Sequence, residues 1–190
     1  MTMKPDFRIG QGYDSHEFKP GIPLLIGGVT LPHDKGLGGH SDGDVLLHAI
    51  TDALLGAIAG PDIGSLFSPS DPRWKGADSA TFLREALKRV GEAGYVLVNL
   101  DSTLILSAPK IGPHSAVIRE RVAVLCGIRA DCVGLKAKTP EGTGTENAAI
   151  AHVAVLVQRR EALQKDAEDY EADVDEVLKN IGGGTDKLQV

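Results

Sequence analysis

A chain of 190 residues with 42% hydrophobic and 24% charged side chains is large enough to bury the core of one soluble globular domain, and nothing in it calls for two. Its formal charge of −6 and the lack of a basic stripe interleaved with aromatics argue against a nucleic-acid surface, so phosphates would have to be held by metal ions or a few placed lysines. No apolar run approaches the roughly 20 residues of a membrane span, the opening MTMKPDFRIG has no apolar leader core, and Cys126 and Cys132 are too few for a disulfide framework; the expectation is a cytoplasmic protein with two packed thiols.

In chain order, residues 6–10 and 22–30 (IPLLIGGVT) read as strands, rich in branched apolar residues and bounded by Pro and Gly. Immediately after the first, GQGYDSHEF places Asp14 and His16 two residues apart; in an extended chain both side chains point to the same side, where a metal ion could sit. Residues 42–59 predict a helix, capped by Ser41 or Asp42, with Val45, Leu46, Ala49, Ala53 and Leu54 as its apolar stripe. Within it Asp44, His48 and Asp52 recur every four residues on one face. That ridge has two readings. Either it is the solvated side of an amphipathic helix, or His48 is a third ligand whose second ring N–H is accepted by one of the flanking aspartates.

Residues 60–76 are rich in Pro, Gly, Ser and Asp and read as loop. A second helix begins at the cap-like ADS and stops at Gly94, with Phe82, Leu83, Ala86, Leu87 and Val90 inward. YVLVNLDSTLIL is a strand, Pro113 opens a third helix to about Leu125, and residues 133–138 and 148–158 close the sheet. This order predicts an α+β domain with a single mixed sheet and helices packed on one face.

RIGQGYDSHEF, PLLIGGVTLP, GLGGHSDGDVLLHAITDALLGA, DIGSLF, SDPRWKGADS, SAPK and KAKTPE occur in this order. Together they resemble the 2-C-methyl-D-erythritol 2,4-cyclodiphosphate synthases, the cyclases of the non-mevalonate isoprenoid pathway, over about residues 7–158. The resemblance implies a homotrimer that takes 4-diphosphocytidyl-2-C-methyl-D-erythritol 2-phosphate to the cyclic diphosphate and CMP. It implies a zinc ion on Asp14, His16 and His48, and a magnesium or manganese ion on Glu141. It assigns transition-state stabilisation to His40 and Thr139. Substrate contacts carried over are Asp14, Ser15, His16, His40, Ser41, Asp62, Ile63, Gly64 and Asp71, and, toward the cytidine nucleotide, Ala108, Pro109, Lys110, Lys138, Thr139 and Glu141. His33, His114 and His152 match no role. A zinc phosphodiesterase and a non-catalytic trimeric small-molecule binder are the rival classes; the first would need a base beside a metal-bound water, for which Asp44 or Asp52 is the candidate.

The sequence departs from the common family pattern in three places. Ser15 stands where many members carry Val, Pro69 stands where an aspartate often precedes the S-D-P-like turn, and GTGTENAA after Glu141 is shorter than the usual loop and lacks its aromatic and arginine, although Glu146 still matches an axial glutamate. Residues 1–158 are thus the synthase-like domain. Residues 159–190 lie beyond the resemblance and read as an acidic helical extension: nine acidic against five basic side chains, with Leu163, Ala167, Tyr170, Val174, Val177 and Ile181 at alternating spacings of four and three, ended by GGG at 182–184.

Overall fold

The computed structural model describes residues 5–165 together with 168, 170, 171 and 173. Strand β1 (Phe7–Pro20) is followed by short strands β2 (Leu24–Ile26), β3 (Val29–Leu31) and β4 (Lys35–Leu37), then by helices α1 (Val45–Ala57), α2 (Ile63–Leu66) and α3 (Ser79–Glu92). The remainder is β5 (Tyr95–Ile105), α4 (Ser115–Cys126), β6 (Val133–Lys138) and β7 (Ala148–Arg159). Five strands form one sheet in the order β4-β1-β7-β5-β6, antiparallel except for β5 and β6, which run parallel through the α4 crossover. Helices α1, α3 and α4 cover one face, as the element order predicts. No helix among the described residues is long and apolar enough to cross a membrane.

Three local expectations change. The first strand runs on to Pro20, so Asp14 and His16 lie within it and alternate as an extended chain requires. The segment 22–30 is two strands of a hairpin, because Gly27 and Gly28 both adopt φ near +70° (64° and 74°) and turn the chain back on itself. The cap of α1 is Asp44: its carboxylate accepts from the N–H groups of Leu46 and Leu47 at 3.1 and 3.0 Å. The same carboxylate takes the Gly27 and Gly28 N–H groups at 2.9 and 2.6 Å, fastening the hairpin turn to the helix start. Asp44 is fully buried, and that burial pushes its carboxyl above the usual range despite four N–H donors.

Helix α1 is buried on nearly every side, between β1 and β7 below and α3 above. Its approach to β1 is unusually close. A Cβ on Gly10 would lie 1.9 Å from the Ala53 carbonyl oxygen and one on Gly12 would lie 1.9 Å from that of Ala49, so only glycine fits at either position. On the helix side the contact is made by Ala49, Ala53 and Ala57, all buried. The opposite face of the sheet is uncovered and apolar in part, with Phe7, Ile9 and Tyr13 at 53, 79 and 51% exposure. Cys126 is buried, its thiol pushed up to about 12 by burial, and Cys132 is half-buried; both are free thiols.

After β7 the chain is helical over 160–165, and Leu163 and Tyr170 are exposed; Ala167, Val174, Val177 and Ile181 of the expected seam lie outside the described residues.

Gly12→Ala should force α1 off the sheet and cost about 1–3 kcal/mol or more, the scale of core overpacking. Urea denaturation checks this, and an unchanged midpoint would contradict the close approach.

Candidate metal centre and active-site cleft

Successive odd and even residues of β1 face opposite sides of the sheet, so Asp14 and His16 share the helix-covered side with Gly10 and Gly12. The glycine contact that brings α1 down onto the strand brings His48 with it. The Nε2 of His16 lies 2.9 Å from Asp14 Oδ2 and 3.1 Å from His48 Nδ1, and His48 Nδ1 lies 3.0 Å from the same Asp14 oxygen. Among the described residues this is the one cluster of three side chains able to hold a metal ion.

The triangle has the dimensions of one face of a coordination tetrahedron. Bonds of about 2.0–2.1 Å to nitrogen and oxygen place tetrahedral ligand atoms about 3.3 Å apart, so a few tenths of an ångström of relaxation accommodates an ion. Both imidazoles are held from behind. The Nδ1 of His16 meets the Gly38 carbonyl oxygen at 2.8 Å, which fixes the proton there and leaves Nε2 as the ligand atom. The Nε2 of His48 meets the hydroxyls of Ser79 at 2.8 Å and Ser41 at 2.9 Å. Burial opposes charge on Asp14, yet hydrogen bonds to His16 and His48 hold its carboxyl well below the usual range; burial likewise opposes charge on His16, whose pKa is nevertheless raised by its bond to Asp14. A half-buried anion facing two imidazoles attracts a cation.

The aspartate ridge of α1 therefore works differently from either reading of the sequence. It is not a solvated face, since Asp44 and His48 are buried, and neither flanking aspartate touches the His48 ring. Asp44 is committed to its cap. Asp52, whose carboxyl is pushed up chiefly by burial, accepts from the Ile63 N–H at 2.7 Å and so sets the start of α2. The acceptor role falls instead to serines, one of them 31 positions away at the start of α3.

The metal triad opens into a cleft of about 250 Å³ lined by His16, His40, Ser41, His48, Ile63 and Gly64, with an aromatic wall of Phe67, Trp74 and Phe82. His40 is exposed and Ser41 half-buried at its rim. The N-terminal amides of α1, which would favour an anion beside His40, are spent on Asp44 at Leu46 and Leu47. Asp62 caps α2 through the Ser65 N–H at 2.7 Å, and Asp71 caps the 3-10 turn Pro72–Trp74 while pairing with Arg73. The aromatic wall and Ser79 are site residues that sequence reasoning did not place; the ADS cap marked a helix start but not what its serine would face.

The remaining expected contacts gather elsewhere. Pro109, Lys110, Lys138, Thr139 and Glu141 line a second hollow of about 510 Å³ beyond the ends of β5 and β6, with Ala108 beside it and the Ala108–Pro109 peptide cis. There the Thr139 hydroxyl donates to Glu141. No residue lines both hollows. Register shows why: Ser15, Ile150, Ile105 and Lys138 form one cross-strand row, so Lys138 shares the uncovered face with Ser15, opposite to Asp14 and His16.

A family model described as the YgbB family matches residues 7–158. A curated relative from Koribacter versatilis, named 2-C-methyl-D-erythritol 2,4-cyclodiphosphate synthase, is 60% identical over 153 residues, covering 80% of this chain and 99% of the relative. A solved structure of a 2C-methyl-D-erythritol-2,4-cyclodiphosphate synthase superposes with a TM-score of 0.76 at 43% identity, covering 80% of this chain and 100% of that one. A further structure, described as the form bound to CDP, gives 0.75 at 42% identity with the same coverage.

Removing either imidazole should destroy the triangle. His16→Ala and His48→Ala should each weaken binding of a divalent transition-metal ion by more than about 100-fold, beyond the 10- to 100-fold typical of outer-shell changes. Calorimetric titration of metal-free protein measures this, and retained affinity in either variant would reject the ligand set.

Proposed function

We propose that this chain, which belongs to the YgbB family, converts 4-diphosphocytidyl-2-C-methyl-D-erythritol 2-phosphate to 2-C-methyl-D-erythritol 2,4-cyclodiphosphate with release of CMP, in isoprenoid biosynthesis in the cytoplasm. The observation that carries the reading is the Asp14, His16 and His48 triangle opening into a cleft rimmed by His40 and Ser41, in a chain matched to that family over residues 7–158.

The 2-phosphate attacks the β-phosphorus of the diphosphate in the same molecule. An attacking oxygen that is already anionic needs no strong base, so the task is to bring two negative groups together and stabilise the charge that develops. Asp14, His16 and His48 would hold zinc and Glu141 would hold magnesium or manganese; bound there, the ions would supply Lewis-acid polarisation and neutralisation of phosphate charge. The chain's own residues do the positioning. His40 and Thr139 donate hydrogen bonds to the reacting phosphates. Ser41, Asp62, Ile63 and Gly64 hold the methylerythritol end, while Ala108, Pro109, Lys110 and Lys138 hold the cytidine end. Ser15 and Asp71 stand at the margin of these contacts, Asp71 through backbone it orders by capping and pairing with Arg73.

The hydrolase alternative loses its base. Asp44 is saturated by four N–H groups, and Asp52, held by the Ile63 N–H at one oxygen, does not line the cleft into which the triad opens.

The active unit is a homotrimer. The two hollows share no lining residue and Lys138 faces away from the triad, which supports a substrate that reaches from zinc to the second hollow of a neighbouring subunit. The uncovered face with Phe7, Ile9 and Tyr13 is the apolar surface such an assembly would bury. Residues 159–190 are a separate acidic extension of this body, since the family match ends at residue 158.

Incubation with substrate in ¹⁸O-labelled water should give CMP and the cyclic diphosphate without label, whereas a phosphodiesterase would incorporate one oxygen and a binder would give no product. Thr139→Val should lower kcat by roughly 10²-fold, the scale for losing one donor to developing charge; a loss confined to KM would make Thr139 a binding residue only.

Light scattering should report three times the 20.0 kDa chain mass. Mixing His48→Ala with Lys110→Ala subunits should recover activity at interfaces that pair an intact triad with an intact second hollow. Lack of recovery after verified exchange would count against a shared site.

A further inference from the structure

Helix α3 begins at Ser79, whose side chain is completely buried, 31 residues from His48 and outside the residue roles that the family resemblance implies. Its hydroxyl oxygen stands between two partners. It donates to Asp42 Oδ1, and it lies 2.8 Å from His48 Nε2. The backbone N–H of Ser79 donates to the other Asp42 oxygen at 3.0 Å, so the serine is clamped to one carboxylate through two atoms.

The direction of each bond follows from a count of protons. An ionised carboxylate only accepts, so the single Ser79 hydroxyl proton is directed to Asp42. The Ser79 oxygen then has only lone pairs to offer His48, and the contact is favourable only if His48 carries its proton on Nε2. A neutral imidazole protonated at Nε2 has a bare lone pair at Nδ1, and Nδ1 is the atom in the triangle with Asp14 and His16. Ser41, the other hydroxyl near Nε2, has no comparable anchor: it lies at the cleft rim, and its one further bond is with the Gly43 N–H at 3.5 Å.

We infer that Ser79 is a positioning residue that holds His48 in the Nε2–H tautomer, with Asp42 setting the polarity of the relay, and so prepares Nδ1 as a metal ligand. Asp42 is held in place from the same side: its N–H donates to the Ala77 carbonyl oxygen at 3.1 Å, and the neighbouring Gly76 N–H donates to that of His40 at 2.8 Å. The loop that closes the cleft and the helix that carries the ligand are thereby joined through one serine. The inference rests on the metal-centre reading proposed above.

The test uses full-length protein stripped of metal and titrated with Co²⁺ or Zn²⁺ against a chromophoric chelator, with folding checked by thermal denaturation. Ser79→Ala should weaken ion binding 10- to 100-fold, the range for losing an outer-shell partner. Ser79→Thr, which keeps the hydroxyl, should recover most of that loss. Long-range ¹⁵N–¹H correlation of the Zn²⁺-loaded protein should show the His48 proton on Nε2, and Ser79→Ala should weaken that preference. Should His48→Ala lose the ion while Ser79→Ala keeps full affinity and the same tautomer, Ser79 has no positioning role and the inference fails alone. Should unaltered protein bind no ion, or His48→Ala bind equally well, the metal centre itself fails and takes the inference with it.

Discussion

The contact between β1 and α1 governs the rest of the molecule. Gly10 meets Ala53 and Ala57, and Gly12 meets Ala49 and Ala53, so two residues along the strand correspond to four along the helix. The match is dimensional: two strand residues advance about 6.7 Å and four helical residues about 6 Å. Continuing the same step places Asp14 beside the turn that contains Val45, His48 and Ala49. The ligand on the helix meets the ligands on the strand because backbones without intervening side chains can lie this close. A larger residue at either glycine would separate the elements, and the donor atoms, now about 3 Å apart, would leave coordination range.

Two aspartates near this contact show how environment assigns roles. Asp44 is fully buried and Asp14 half-buried, but Asp44 is surrounded by four backbone N–H groups and Asp14 by two imidazoles. The amides complete the first carboxylate as a structural joint with nothing left to offer a ligand. Imidazoles can give up their protons to solvent and present lone pairs in their place, so the second carboxylate can exchange two hydrogen bonds for one cation. The sequence shows two acids on a strand and a helix. Only the partners distinguish a fastening from a metal ligand.

That distinction marks the limit of legibility. The Asp14/His16 pair was readable because period-2 alternation is local, and the three helices covering one face followed from apolar periodicity within single elements. The hairpin at Gly27 and Gly28 was missed because IPLLIGGVT is apolar throughout and shows no period that would break it. Strand β4 is only Lys35, Gly36 and Leu37, with no apolar alternation of its own; it is defined by pairing with the far end of β1. Asp44 was misread for the same reason in reverse: its spacing from His48 was local and suggestive, while the two glycine amides that claim it come from 16 and 17 residues away. Ser79 required a contact across 31 residues, about which neither composition nor spacing carries information.

The separation of the two hollows is itself a consequence of the sheet. Along any strand, side chains that face the helices cannot also face the uncovered side, and paired neighbours share a face across the whole sheet. Asp14 and His16 occupy the helix side because Gly10 and Gly12, in phase with them, must meet α1; Lys138 is then fixed on the other side by its row with Ser15. A single chain therefore turns the triad and Lys138 to opposite faces of its sheet. The glycines that bring His48 to the strand thus also fix the face of the sheet on which Lys138 stands.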